Sequence, residues 1–174
     1  MMRPAASFSR YAAVLGCAAT LLCAGAALQP AAASSGPFSN FHGDWAGGGI
    51  LRIKGDDNKL STERVRCNAS YRQSSGNEVN LKLTCRSDTY NFDLTGDFQS
   101  DPAGNITGDW SEETRHVGGS VTGRARGDRL LVHAESPALN ANLSMYTRSR
   151  TQSVNLKAAG AGQQVTASIS LRRR

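Results

Sequence analysis

From Trp45 to the C-terminus, apolar and polar residues alternate in short runs separated by turn formers, and the alternation is clearest between Arg64 and Arg86. There Val65, Cys67, Ala69 and Tyr71 interleave with Arg64, Arg66, Asn68, Ser70 and Arg72. Val79, Leu81, Leu83 and Cys85 interleave in the same way with Asn80, Lys82, Thr84 and Arg86. A period of two marks a strand with one buried face, and Ser74-Ser75-Gly76-Asn77 between the two runs supplies a turn. Setting Cys67 opposite Cys85, Ala69 opposite Leu83 and Tyr71 opposite Leu81 gathers every apolar residue on one face. A slip of one residue would bury Arg66 and Lys82 instead, so the pattern itself fixes the register. Cysteines facing each other on adjacent strands are within disulfide reach, and a Cys67–Cys85 bridge is expected.

The same alternation continues on both sides of this hairpin. Trp45 to Lys54 reads as a first strand with a flexible Gly47-Gly48-Gly49 near its start. Tyr90, Phe92, Leu94 and Phe98 define a fourth strand, and Ile106, Gly108 and Trp110 a fifth. Val117 to Ala125 and Leu130 to Ala134 follow, then a hairpin that buries Ala141, Leu143 and Met145 against Val154 and Leu156, then Gln164 to Arg172. No stretch keeps a helical period. The prediction is an all-β chain: an antiparallel meander of about eight to ten strands that removes its sheet edges by closing into a small soluble barrel. A two-sheet sandwich is the alternative. Three segments, Leu94-Thr95-Gly96, Ile106-Thr107-Gly108 and Val121-Thr122-Gly123, share a pattern in which an inward glycine makes room for a bulky neighbour or a sharp coil of the sheet.

The first part of the chain changes the picture. Arg3 and Arg10 precede an Ala- and Leu-rich run from Tyr11 to Leu28, followed by Ala31-Ala32-Ala33-Ser34, the order of an export signal. The expected organisation is a signal peptide over 1–33, a lead-in over 34–42 and a single β-barrel domain over 43–174. Cleavage near Ala33 would place the mature chain in the periplasm or outside the cell, an oxidising setting that suits the Cys67–Cys85 bridge. Removing Arg3 and Arg10 lowers the formal charge of +6 by two, which leaves too little and too scattered a charge to argue for nucleic acid. A membrane-spanning barrel is not expected either, because one face of nearly every strand carries charged or hydroxylic residues.

Gly43-Asp44-Trp45 at the entry to the first strand is similar to the G-x-W start of lipocalins and avidins, the calycin group of ligand-holding barrels. That resemblance implies a structural tryptophan at the closed end of a barrel. Tyr71 with Cys67, the run from Cys85 to Phe92, and the segments Trp110 to Glu112 and Gly118-Gly119 also resemble a group of small secreted bacterial β-barrel proteins, a likeness that implies a fold and no activity.

Candidate chemistry is sparse. Asp109, Glu112, Glu113, Arg115 and His116 form the richest titratable cluster, a candidate polar site between the fifth and sixth strands that could serve acid–base chemistry or sit as a solvated turn. Arg64, Arg66, Arg72, Lys82 and Arg86 line one outer face of the cysteine hairpin, where they could meet an anionic lipid or glycan or act as a solubilising surface. Arg126-Gly127-Asp128 reads as ordinary hairpin-turn chemistry. No catalytic residue, metal site or cofactor is assigned. The leading expectation is a non-enzymatic exported binding module for a small amphipathic ligand or an anionic envelope component. The alternatives are an enzyme using Glu112, Glu113 or His116, and a structural or inhibitory partner whose contact surface would expose Tyr146 or Trp110.

Overall fold

The computed structural model describes residues 36–174; the expected signal peptide and the cleavage site near Ala33 lie outside the described residues. Ten antiparallel strands close into one barrel, not a sandwich: β1 (Gly43–Lys54), β2 (Leu60–Ser75), β3 (Glu78–Arg86), β4 (Asn91–Ser100), β5 (Asn105–Glu112), β6 (Val117–Arg126), β7 (Arg129–Ser136), β8 (Leu139–Arg148), β9 (Thr151–Gly160) and β10 (Gln163–Arg173). Each strand pairs with the next in the chain, and β10 returns to β1 from Trp45 opposite Arg173 to Lys54 opposite Gln164. Every backbone edge is thereby paired, which removes the exposed ladder that an open meander would leave.

The cysteine hairpin has the register that its hydrophobic pattern demands. Cys67 pairs with Cys85, Ala69 with Leu83 and Tyr71 with Leu81, and the two sulfurs are bonded across a Cα–Cα separation of 4.1 Å. Beyond Gln73 the register shifts by one at a bulge between Gln73 and Ser75, which the symmetric reading of the turn did not contain. The Thr-Gly segments follow the steric reading. A Cβ on Gly96 would come within 2.3 Å of the Phe98 ring, and one on Gly108 within 2.8 Å of the same ring. The two glycines vacate the space that Phe98 fills inside the barrel.

From Gly36 onward the lead-in closes one end. Gly36 to Phe41 forms a turn whose Phe38 and Phe41 are buried. The Phe38 N–H donates to the Gly76 carbonyl at 3.1 Å, and the Gln73 amide donates to the Phe38 carbonyl. On the far side, Gly36, Pro37 and Asn40 share a small cleft with Gly127, Asp128 and Thr147 of the β6–β7 and β8–β9 region. The turn therefore reaches from the β2–β3 hairpin to the opposite wall. Gly36 is required where it stands, since a Cβ there would meet the Gly76 carbonyl at 2.0 Å.

Beneath the turn, Phe38, Phe41, Tyr71 and Trp45 make successive edge-to-face contacts with centroid separations of 5.7, 5.2 and 6.3 Å. The Trp45 indole N–H donates to the Phe41 carbonyl at 2.8 Å, and the Arg173 guanidinium lies 4.8 Å from the Trp45 ring centroid. Three buried polar side chains complete this end: the Tyr71 hydroxyl donates to Gln152 Oε1 at 2.9 Å, and Gln152 Nε2 donates to Thr147 Oγ1 at 3.1 Å. Burial pushes the Tyr71 hydroxyl pKa up, against the smaller opposing effect of its bond to Gln152.

Candidate functional site

The barrel is not filled from end to end. Inward side chains from all ten strands, among them Leu81, Leu94, Ile106, Leu143, Leu156 and Ile169, enclose a cavity of about 340 Å³. Phe38, Phe41 and Tyr71 form its floor. At the other end the cavity is lined by Tyr90, Glu112, Arg115, Ala138, Ala161 and Gln163, residues in or beside the β3–β4, β5–β6, β7–β8 and β9–β10 turns. Arg115 and Gln163 are both exposed to solvent, so this end is the mouth.

Polar groups collect at that mouth. Glu112 continues the inward row of Ile106, Gly108 and Trp110, and its side chain is buried, with the residue only 2% exposed. Glu112 Oε1 accepts the backbone N–H groups of Asp93 and Thr114, each at 3.1 Å, and Oε2 accepts that of Arg115 at 2.8 Å. Desolvation raises the proton affinity of this carboxyl, but hydrogen bonds from Thr114, Asp93 and Arg115 together outweigh it and leave the pKa below the ordinary glutamate value. A general base is tuned toward the working pH, whereas Glu112 is tuned away from it. Its position and its bonds tie the β5–β6 turn to the start of β4.

Arg115 arches over the mouth from that turn. Its guanidinium lies 4.4 Å from the Tyr90 ring centroid, 3.5 Å from Glu112 Oε2 and 3.1 Å from the Asn91 carbonyl to which it donates. One face of Tyr90 is therefore covered by a cation held in place by a buried carboxylate. Burial raises the Tyr90 hydroxyl pKa, Arg115 lowers it and Glu112 raises it.

The sequence cluster is split by this geometry. Glu112 and Arg115 meet at the mouth, whereas Asp109 points outward from β5, opposite Asp97 and Ser120. Glu113 and His116 are exposed in the turn, where His116 adopts a left-handed φ of 54°. Among the described residues no group of three His, Cys, Asp or Glu side chains is placed to hold a metal ion.

The outer hairpin face is exposed as expected, but its charges are partly spent within the chain. Arg72 pairs with Asp44 at 3.0 Å, and Arg86 pairs with Asp93 at 2.6 Å. Arg64, Arg66 and Lys82 project without an ion pair among the described residues. Of the two aromatic residues considered for a contact surface, Trp110 is buried at 6% exposure because the parity of β5 turns it inward, while Tyr146 is 43% exposed.

Solved structures share this architecture. The crystal structure of Rv2717c from M. tuberculosis superposes with a TM-score of 0.61 over 79% of this chain and 94% of that one, at 14% identity. The S-type phycobiliprotein lyase CPES from Guillardia theta superposes with a TM-score of 0.56 over 79% of this chain and 89% of its own, at 12% identity. At such identities the likeness is one of fold. No family model matches the chain, and no curated protein matches its sequence.

Gln152 and Thr147 escaped the sequence reading. For Thr147 and Gln152 the signal was present, because the inward parity of Met145 and Val154 carries directly to them. Tyr90 stands in the turn before β4, yet it keeps the inward parity of Phe92 and Leu94 that the sequence pattern gives it and lines the cavity with them.

Proposed function

We propose that this protein is a non-enzymatic exported binding module that holds a small amphipathic ligand, its apolar body in the barrel and its polar head at the Arg115–Tyr90 mouth. The observation that carries the reading is the distribution of polarity in the cavity. Its wall is aliphatic and aromatic, its floor is sealed, and its charged groups stand together at the opening. A preformed pocket of a few hundred Å³ with few, localised polar groups is the usual form of a small-molecule site. Arg115 has donors to spare for an anionic or carbonyl-bearing head, since a guanidinium carries five N–H groups. The oxidised Cys67–Cys85 pair supports the export reading, with the mature chain in the periplasm or outside the cell.

The test is a fluorescence titration with an anionic anilinonaphthalene dye, on wild type and on Leu143→Trp. The inward indole of the variant would occupy the cavity while the outer surface stays unchanged. Saturable one-to-one binding by wild type, lost in a Leu143→Trp protein with unaltered circular dichroism, is expected. Equal binding by both proteins would place the dye on the surface and sink the reading.

A further inference from the structure

A second surface lies on the outer wall near the closed end, where six exposed arginines cross from β6 to β10. Arg124 and Arg126 end β6, Arg129 opens β7, Arg148 ends β8, Arg150 follows in the β8–β9 turn and Arg172 nears the end of β10. Their continuity follows from the ladder: Arg126 opposes Arg129, Arg148 opposes Thr151, and Thr151 opposes Arg172. None of the six makes an ion pair within the described residues, and residues 1–35 contain no Asp or Glu. Asp128 is set among them at the tip of the β6–β7 turn, and Asp101 lies near enough to Arg124 to feel its charge.

Placing Arg126 directly across from Arg129 works against the stability of the sheet, since like charges on opposed strand positions repel. On the cysteine hairpin Arg66 likewise opposes Arg86, but there Arg72 and Arg86 have carboxylate partners, and only Arg64, Arg66 and Lys82 are left without one among the described residues. Set into the strip are two of the three large apolar side chains that the barrel exposes. Leu131, 50% exposed, opposes Arg124, and Tyr146 opposes Arg129.

We propose that this strip docks the barrel on an anionic lipid bilayer. Unpaired guanidiniums present forked donors that match lipid phosphates, and basic side chains near an anionic membrane each strengthen attachment. A tyrosine and a leucine among them suit the headgroup boundary, where amphipathic rings settle. An acidic protein partner fits less well. A stable protein interface needs a fully buried apolar core within about 800 Å² per partner, and two isolated side chains do not provide one. Docking along this side leaves the Arg115–Tyr90 mouth, at the other end of the barrel, clear of the attached surface.

The experiment is co-sedimentation of the mature chain with phosphatidylcholine vesicles containing about one-third phosphatidylglycerol, and with pure phosphatidylcholine vesicles, over a salt series. Salt-sensitive binding to the anionic vesicles only is expected. Replacing Arg126, Arg129 and Arg148 by Ala should weaken it about 100-fold, at roughly fivefold per arginine. The matched set Arg64→Ala, Arg66→Ala and Lys82→Ala should change it only a few-fold, and dye binding in the cavity should report both proteins as folded. Equal loss in the two sets would assign the effect to net charge and overturn the proposal. So would binding to neutral vesicles, or no vesicle binding at all, the last of which would leave an acidic protein surface as the occupant.

Discussion

Both ends of the barrel stack an arginine on an aromatic ring, Arg173 on Trp45 at 4.8 Å and Arg115 on Tyr90 at 4.4 Å. At the closed end the ring is buried, its N–H is bonded to Phe41, and Arg173 also donates to the Asn40 carbonyl. The pair is sealed beneath a turn that spans the barrel. At the mouth the arginine comes from a short turn and remains partly in water, held by the buried Glu112 carboxylate and the Asn91 carbonyl. The same contact is thus part of a core at one end and part of an entrance at the other. What separates them is the burial of the ring and the turn that covers it, not the contact itself.

That contrast can be broken most severely at the closed end. Trp45→Ala should cost about 3–5 kcal/mol of unfolding free energy, read from urea denaturation, because it removes a large buried ring and leaves the Phe41 carbonyl without its donor. Tyr71→Phe is a smaller lesion of the same end. It strands Gln152 Oε1 in the interior and should cost about 1–3 kcal/mol; a loss below the error of the measurement would mean that water reaches the floor.

At the mouth, Glu112→Gln should cost a similar or smaller amount, roughly 1–2 kcal/mol at neutral pH, since the neutral amide presents only one oxygen to three N–H donors. Its pH signature is distinctive. The folded-state pKa lies below the ordinary 4.5, so the unfolded chain binds the proton more readily. The stabilisation is present above 4.5 and is lost as pH falls through the folded value. Glu112→Gln should therefore flatten the acid limb of the stability curve, and an unchanged limb would assign that limb to the surface carboxylates. The smallest stability effect belongs to Arg115→Ala, within about 1 kcal/mol of wild type. The same variant should weaken an anionic dye about tenfold, the loss of one charge-assisted contact. A large drop in melting temperature with unchanged dye affinity would reverse the assignment of the two ends.

Much of the fold was written in period-two alternation. The pairing of Cys67 with Cys85 needed only the rule that one face stays apolar, and the order of strands followed from the turns between them. The choice between barrel and sandwich was not local, since it depends on Trp45 finding Arg173, and no run of residues encodes that meeting. The plug was hidden for a related reason. Phe38 and Phe41 lie in a turn without periodicity, and their partners Gly76 and Tyr71 are remote in sequence. Glu112 was legible in principle: the inward row of Ile106 and Trp110 leads straight to it, and the pull of a charged, turn-like segment obscured that parity. The place of Arg115 over the Tyr90 ring was not, because Arg115 is a turn side chain with no parity to follow.

The seam between β1 and β10 also sets a timetable. Hairpins such as β2–β3 and β8–β9 join neighbours in the chain and can form early, whereas pairing Trp45 with Arg173 joins the first strand to the last and must wait for a slow, long-range closure. Until then the cavity lacks its final wall. The proposed ligand would consequently be captured by a finished chain, never by a nascent one, and a chain that stops short of β10 would have its hairpins without having a pocket.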